Sequence, residues 1–282
     1  MHRTSIFQSG FTLIEIIVVI IVLGILGAIS VTFINYTVDG YVAQTRRAAL
    51  VDDTTLVLSR MARDIRSALP NSVRVDPANH AIELLHVCAA GRYRDGPGSS
   101  GANNYSGAQY RLQFNRADDQ FNIAGTLDAC NPAATHAVVY NIGIAGADAY
   151  SVGGTPNVIT PDGTTIAIDD APPEAHITLA PAFQFKYQSP GQRIYFINTP
   201  ISWACDPASN TLTRYSGYPI NAAQSIPAAA FGALATNDVA GCNFQYTAGT
   251  TQRAGVATLS LTLTRDGESV RLLDQVHVVN AP

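Results

Sequence analysis

The chain has 282 residues, 47% of them apolar and 13% charged, with a formal net charge of -4. That balance excludes a disordered chain, which needs low hydrophobicity and high charge. It also speaks against nucleic acid as a partner, since phosphate binding needs clustered positive charge and Asp plus Glu (21) outnumber Lys plus Arg (17). The 22 Gly, 15 Pro and 12 Tyr residues suit a β-rich, loop-heavy domain outside the cytoplasm.

Residues 1–10 are short and polar and carry Arg3, whereas residues 11–38 hold a single charge, Glu15. As a helix, Phe11 to Ile34 spans about 36 Å, enough to cross a hydrocarbon core of about 30 Å. No small-residue cleavage site follows the apolar stretch, as an ordinary secretory signal requires. The basic leader leaves residues 1–10 on the cytoplasmic side and sends the remainder across the membrane. Glu15 is the anomaly, because a carboxylate within a span costs about 2.5–3.5 kcal/mol and marks a functional candidate. The plain alternative is an interfacial carboxylate that snorkels to water.

Gly10-Phe11-Thr12-Leu13-Ile14-Glu15 resembles the signature of type IV prepilins, shared by type IV pilins and type II secretion pseudopilins. The resemblance implies that prepilin peptidase cuts between Gly10 and Phe11 and methylates the new N-terminal Phe11. It also implies that Glu15 serves subunit assembly, by neutralising the N-terminal amine of a neighbouring subunit. A paired carboxylate is tolerated among apolar helices where an isolated one is costly. The implied partners are prepilin peptidase, the inner membrane and other minor and major pilins, met through the N-terminal helix. Where many major pilins carry a helix-disturbing proline this chain has Thr32, although Gly24, Gly27 and the Asp39-Gly40 pair can weaken the helix nearby.

From residue 39 to 69 the polarity changes but the helical period continues. Leu50, Val57, Leu58, Met61, Ile65 and Leu69 recur at helical spacing, with Arg46, Arg47, Asp52, Asp53, Arg60, Arg63, Asp64 and Arg66 mostly on other faces. Pro70 stops the helix near Leu69. From Phe11 to Leu69 a continuous helix would measure about 88 Å. Residues 70–282 then read as a β-rich globular domain. Strands are expected at 72–76, 80–87, 108–114, 136–142, 193–198, 203–205, 210–215, 242–246, 256–265 and 269–279. Asp266-Gly267 joins the last two as a two-residue hairpin turn. Long loops are expected at 91–107, 143–170 and 218–241. The fold class is therefore α+β, a pilin-like lollipop of helix and antiparallel sheet.

The chain has four cysteines, Cys88, Cys130, Cys205 and Cys242, with no CxxC pair. Outside the cytoplasm they read as two disulfides, and three pairings are possible. The sequential one, Cys88–Cys130 and Cys205–Cys242, is expected because each bond closes a loop of about forty residues between neighbouring strands.

The region 193–215, with Ile194-Tyr195-Phe196-Ile197 and Thr211-Leu212-Thr213-Arg214-Tyr215, is similar to J-type pseudopilins and W-type minor pilins. The junction around Pro70 and the Cys205-Asp206-Pro207 hairpin look like a minor pilin of the mannose-sensitive haemagglutinin (MSHA) pilus system. That resemblance implies a non-enzymatic role in initiating, assembling or capping a filament. A J-type pseudopilin and a membrane-anchored adhesin are the alternatives.

Chemistry that would contradict this is absent from the motifs. There is no GxSxG, HExxH, P-loop or GxGxxG, so no catalytic residues and no cofactor are expected. The six histidines lack metal-ligand spacing, and Asp162, Asp169, Asp170 and Glu174 lack the EF-hand pattern for calcium, so no metal is expected. Trp203 alternates with Ser202 and reads as core. Tyr93, Asn103, Asn104 and Tyr105 have the composition of a recognition loop, which is also that of ordinary loops.

Overall fold

The computed structural model describes residues 12–96, 110–170, 172–250 and 253–279. The cleavage junction Gly10–Phe11 and the loop residues Asn103, Asn104 and Tyr105 lie outside them. The chain divides into two units, Met1–Ala49 and Leu50–Pro282.

Helix α1 covers Leu13–Arg66. No proline interrupts it, and it runs through Gly24, Gly27 and the Asp39-Gly40 pair. In the first unit its described apolar side chains are exposed, from Leu13 (78%) to Tyr41 (74%). Its end follows from local bonding. Ser67 N–H is shared between the Arg63 and Asp64 carbonyls, and Leu69 N–H already donates to Leu85 in the sheet. Pro70 has no N–H to continue the ladder.

In the second unit, α1 residues Leu50, Val57, Leu58, Met61, Ala62 and Ile65 are buried. Among the described residues this unit has twelve strands: β1 (Arg74–Val75), β2 (Ala81–Arg92), β3 (Asp118–Ile123), β4 (His136–Val138), β5 (Thr165–Asp169), β6 (Ala175–Phe183), β7 (Arg193–Asp206), β8 (Thr211–Ser216), β9 (Gly232–Thr236), β10 (Val239–Thr247), β11 (Gly255–Arg265) and β12 (Glu268–Val278). One sheet has the order β1-β2-β7-β8-β9 with β4 also on β7. Two smaller sheets run β10-β11-β12 and β3-β6-β5. Every strand pairing is antiparallel.

The helix stripe packs with Ile82 and Leu84 of β2, Ile201 and Trp203 of β7, Leu259, Leu261 and Leu263 of β11, and Val276 and Val278 of β12. Each fully buried aliphatic side chain there contributes about 1.5–3 kcal/mol. A second core gathers Phe121, Ile123, Ile177, Phe183, Phe185, Ile194 and Phe196 between β7 and the β3-β6-β5 sheet. Strand β7 contributes buried residues to both cores, so it is buried on both faces. Gly91 lies where β2 meets that second core. A Cβ there would stand 2.5 Å from Ile123 Cγ2, so only glycine fits.

Disulfides join Cys88 to Cys130 and Cys205 to Cys242, the sequential pairs. The second ties β7 to β10, and so one sheet to another.

Several strands differ from the sequence expectation. Residues 193–198 and 203–205 form one strand, β7, that runs through Pro200. On that edge β4 pairs residues 195–197 and β8 begins at Ile201, so Pro200 lies in the gap where no neighbour needs its missing N–H. Only His136–Val138 of the expected 136–142 is strand, and Tyr140 turns at φ 61°. The described part of 108–114 is not strand. Strands β5 and β9 arise inside the expected loops 143–170 and 218–241, and β3 and β6 in segments for which no strand is expected.

Candidate assembly and membrane site

Helix α1 opens with Thr12-Leu13-Ile14-Glu15, a Thr-x-x-Glu capping pattern. The Thr12 carbonyl accepts from Glu15 N–H at 3.1 Å and from Ile16 N–H at 3.4 Å. In return Thr12 N–H points to Glu15 Oε2 at 3.5 Å. The Glu15 carboxylate thus reaches back over the helix start, where the positive end of the helix dipole favours a negative charge. It stands exposed at the head of the apolar surface. The capping role was legible in the sequence, because a Thr three residues before a Glu ahead of an apolar run is its signature. Gly10 and Phe11, the expected peptidase and methylation residues, precede the described helix.

Leu13–Ser30 is long and apolar enough to cross a membrane, and none of it is buried within the chain. Exposed side chains such as Leu13 (78%), Ile20 (64%) and Phe33 (72%) require cover from lipid or from other apolar helices. In water such a surface would drive association.

Several polar residues of the second unit form closed networks. Trp203 Nε1 donates to Asp64 Oδ2 at 2.9 Å, and Arg214 Nε donates to the same oxygen at 2.8 Å. Asp53 and Asp238 both pair with Arg265. Buried Glu83 receives Arg74 Nε at 2.7 Å and the Tyr218 hydroxyl at 3.0 Å, and Arg74 lies 3.5 Å over the Tyr150 ring. Burial, reinforced by the Glu83 charge, pushes the Tyr218 and Tyr150 hydroxyls well above the ordinary phenol range, so both remain protonated donors. These groups are spent on one another.

A cavity of about 420 Å³ has His136, Asp162, Thr164 and Asn198 in its wall. His136 Nε2 lies 3.0 Å from Asp162 Oδ1, and its Nδ1 lies 2.9 Å from Thr135 Oγ1. The Thr135 hydroxyl also approaches the Ile197 and Asn198 carbonyls, at 3.2 and 3.1 Å. It therefore braces β4 against β7 rather than standing ready as a nucleophile. Burial lowers the His136 pKa, and the Asp162 carboxylate opposes that only in part.

Of the four carboxylates weighed for calcium, Glu174 is held by Arg94 and Asn122 and Asp162 by His136. Among the described residues no three His, Cys, Asp or Glu gather as a metal site. Trp203 is 1% exposed and lies in the core.

Residues 7–31 match the model of the prokaryotic N-terminal methylation motif. No curated protein and no solved structure matches the chain. The matched segment takes in the Gly10–Phe11 junction, the Thr12–Glu15 cap and the apolar helix as far as Val31. The N-terminal part of the chain is therefore type IV prepilin-like.

Proposed function

We propose that the protein is a minor pilin, of the kind of MshO in the MSHA pilus system, with a structural rather than an enzymatic role. Prepilin peptidase removes residues 1–10 at the Gly10–Phe11 bond and methylates Phe11. The apolar helix then holds the chain in the inner membrane, with the disulfide-bonded domain on the periplasmic side. From there it joins other minor and major pilins in initiating, assembling or capping a filament. The observation that carries this reading is one of position. The methylation motif at 7–31 coincides with a helix whose first eighteen residues, Leu13–Ser30, are apolar and exposed.

Glu15 is the assembly residue in this reading. In lipid near the interface its carboxylate snorkels or caps its own helix. Packed among apolar helices it needs a cation, because an unpaired buried charge costs several kcal/mol. Cleavage creates such a cation, the amine of a neighbour's Phe11.

The test is N-terminal and intact-mass analysis of the membrane-extracted protein from a strain with prepilin peptidase and from one without. The chain is expected to begin at methylated Phe11 only in the first. Retention of residues 1–10 in both strains overturns the reading.

A further inference from the structure

Sheet edges are ordinarily blunted, because an unpaired row of N–H and C=O groups templates pairing with another chain. In the second unit most edges are short or closed. Strand β1 has 2 residues, and β5 and β9 have 5 each. Strand β3 is broken by an irregularity between Asp118 and Gln120. The far side of β10 is tied down by the Cys205–Cys242 bond and by Phe244 N–H donating to the Asn79 carbonyl.

Strand β12 differs. Its 11 residues pair with β11 in unbroken register, from Arg265–Glu268 to Gly255–Val278, with no Pro, Gly or bulge. The direction of its free groups follows from one bond. Thr264 N–H donates to the Asp238 carbonyl, away from β12. Thr264 faces Ser269 across the hairpin, so that pair exchanges no ladder bonds and the Ser269 amide and carbonyl point away from β11. By alternation the same holds for Arg271, Leu273, Gln275 and His277. None of these outward groups has a backbone partner among the described residues.

We propose that the β12 edge receives an extended segment of a different polypeptide, added antiparallel as a further strand of the β10-β11-β12 sheet. Backbone groups supply the attachment and alternating side chains the selection. On the core-facing row, Glu268 stands at the hairpin end opposite Arg265, and Asp274 is the charge set among Val270, Leu272, Val276 and Val278. On the solvent row, Arg271 adjoins Leu273, which is 62% exposed. The partner strand therefore carries apolar residues on alternate positions, a basic residue opposite Asp274 and an acidic one opposite Arg271.

A second copy fits poorly. Antiparallel self-pairing about a two-fold axis perpendicular to the sheet sets each row of side chains against its own copy. The core-facing row of a second copy has no basic residue for Asp274, and its solvent row has no acidic residue for Arg271.

The experiment uses the full chain in detergent micelles and an end-blocked synthetic peptide, Thr-Val-Thr-Lys-Val-Ile-Glu-Val-Thr, which places Lys opposite Asp274 and Glu opposite Arg271. Hydrogen exchange followed by mass spectrometry is expected to slow at least tenfold within residues 268–278 when millimolar peptide is present. A peptide of the same residues in scrambled order should give no protection. Leu273→Pro should abolish the effect while keeping the β11 ladder, because the Leu273 amide points outward. Should that variant not fold, Arg271→Glu is the substitute, and it should lose protection with this peptide and regain it when the peptide's Glu is replaced by Lys. The proposal is overturned by no protection, by equal protection from the scrambled peptide, or by an unchanged response in Leu273→Pro or Arg271→Glu. Protection that grows with protein concentration alone, without peptide, also overturns it in favour of a second copy. None of these readings depends on N-terminal processing, so a failure here is distinct from a failure of the pilin reading.

Discussion

Asp64 of helix α1 holds Trp203 of strand β7 through a 2.9 Å bond from the indole N–H. The same carboxylate oxygen takes Arg214 Nε at 2.8 Å. One helical side chain thereby fixes the helix to two adjacent strands, β7 and β8. Asp64→Ala strands the indole N–H of a residue that is 1% exposed and frees Arg214. An unsatisfied buried donor costs about 1–3 kcal/mol. Urea denaturation should show a loss of that size, and Arg214→Ala should cost less because Trp203 retains its acceptor. Equal losses in the two variants would place the stabilisation in the ion pair instead.

The Cys205–Cys242 bond joins β7 to β10 and closes a sequence separation of 37. Loop entropy assigns such a bond about 4 kcal/mol. The double variant Cys205→Ser with Cys242→Ser should lower the denaturation midpoint accordingly. The Cys88–Cys130 pair, with a separation of 42, should cost a similar amount when removed. A double variant as stable as the parent would mean that the reduced chain keeps its sheets together without the bond.

His136 gives the fold a pH dependence. Its side chain is 7% exposed, and burial holds its pKa below the ordinary imidazole value of 6.5 despite Asp162. The unfolded chain therefore binds this proton more readily than the native one. Stability should be complete above pH 6.5 and fall as the pH drops below it. His176, also lowered by burial, acts in the same direction. Thermal melts between pH 7.5 and 5.5 should show a falling midpoint, with a shallower slope in His136→Gln. An identical slope in that variant would assign the sensitivity elsewhere.

Glu15 can be tested for charge and for capping separately. Glu15→Leu should leave insertion and the disulfide-bonded domain intact while reducing filament number and partner co-purification several-fold. Glu15→Gln keeps an oxygen near Thr12 N–H but removes the charge. Assembly as poor as in Glu15→Leu points to the ion pair, and recovery points to the cap. Filament counts by microscopy and recovery of partner pilins from the same membranes decide between them.

The elements most legible in the sequence were those whose signal is local. The helix is legible in its apolar spacing, although it ends at Arg66 rather than near Leu69, and the last hairpin in Asp266-Gly267, which turns with φ of 52° and 83°. The strands that were missed depend on tertiary partners. Strand β3, Asp118-Asp119-Gln120-Phe121-Asn122-Ile123, has too few apolar residues to read as a strand, yet Phe121 and Ile123 are fully buried against β6 and β7 side chains. Strands β5 and β6 flank Pro172-Pro173, whose turn chemistry dominates the local pattern. Pro200 divided β7 on paper, because nothing local reveals the gap between β4 and β8. At the candidate site the motif was visible residue by residue. The contact between Thr12 and Glu15 is equally legible in the Thr-x-x-Glu spacing.

The cysteines pair in the order in which they occur along the chain. In the proposed orientation the chain beyond the membrane helix enters an oxidising compartment in sequence order, presenting Cys88 and then Cys130, and only afterwards Cys205 and Cys242. At each stage the thiol awaiting a partner is the correct one, so a machinery that oxidises cysteines as they arrive makes the native bonds without reshuffling. For a chain tethered by its first helix, the order of arrival itself thus carries the connectivity.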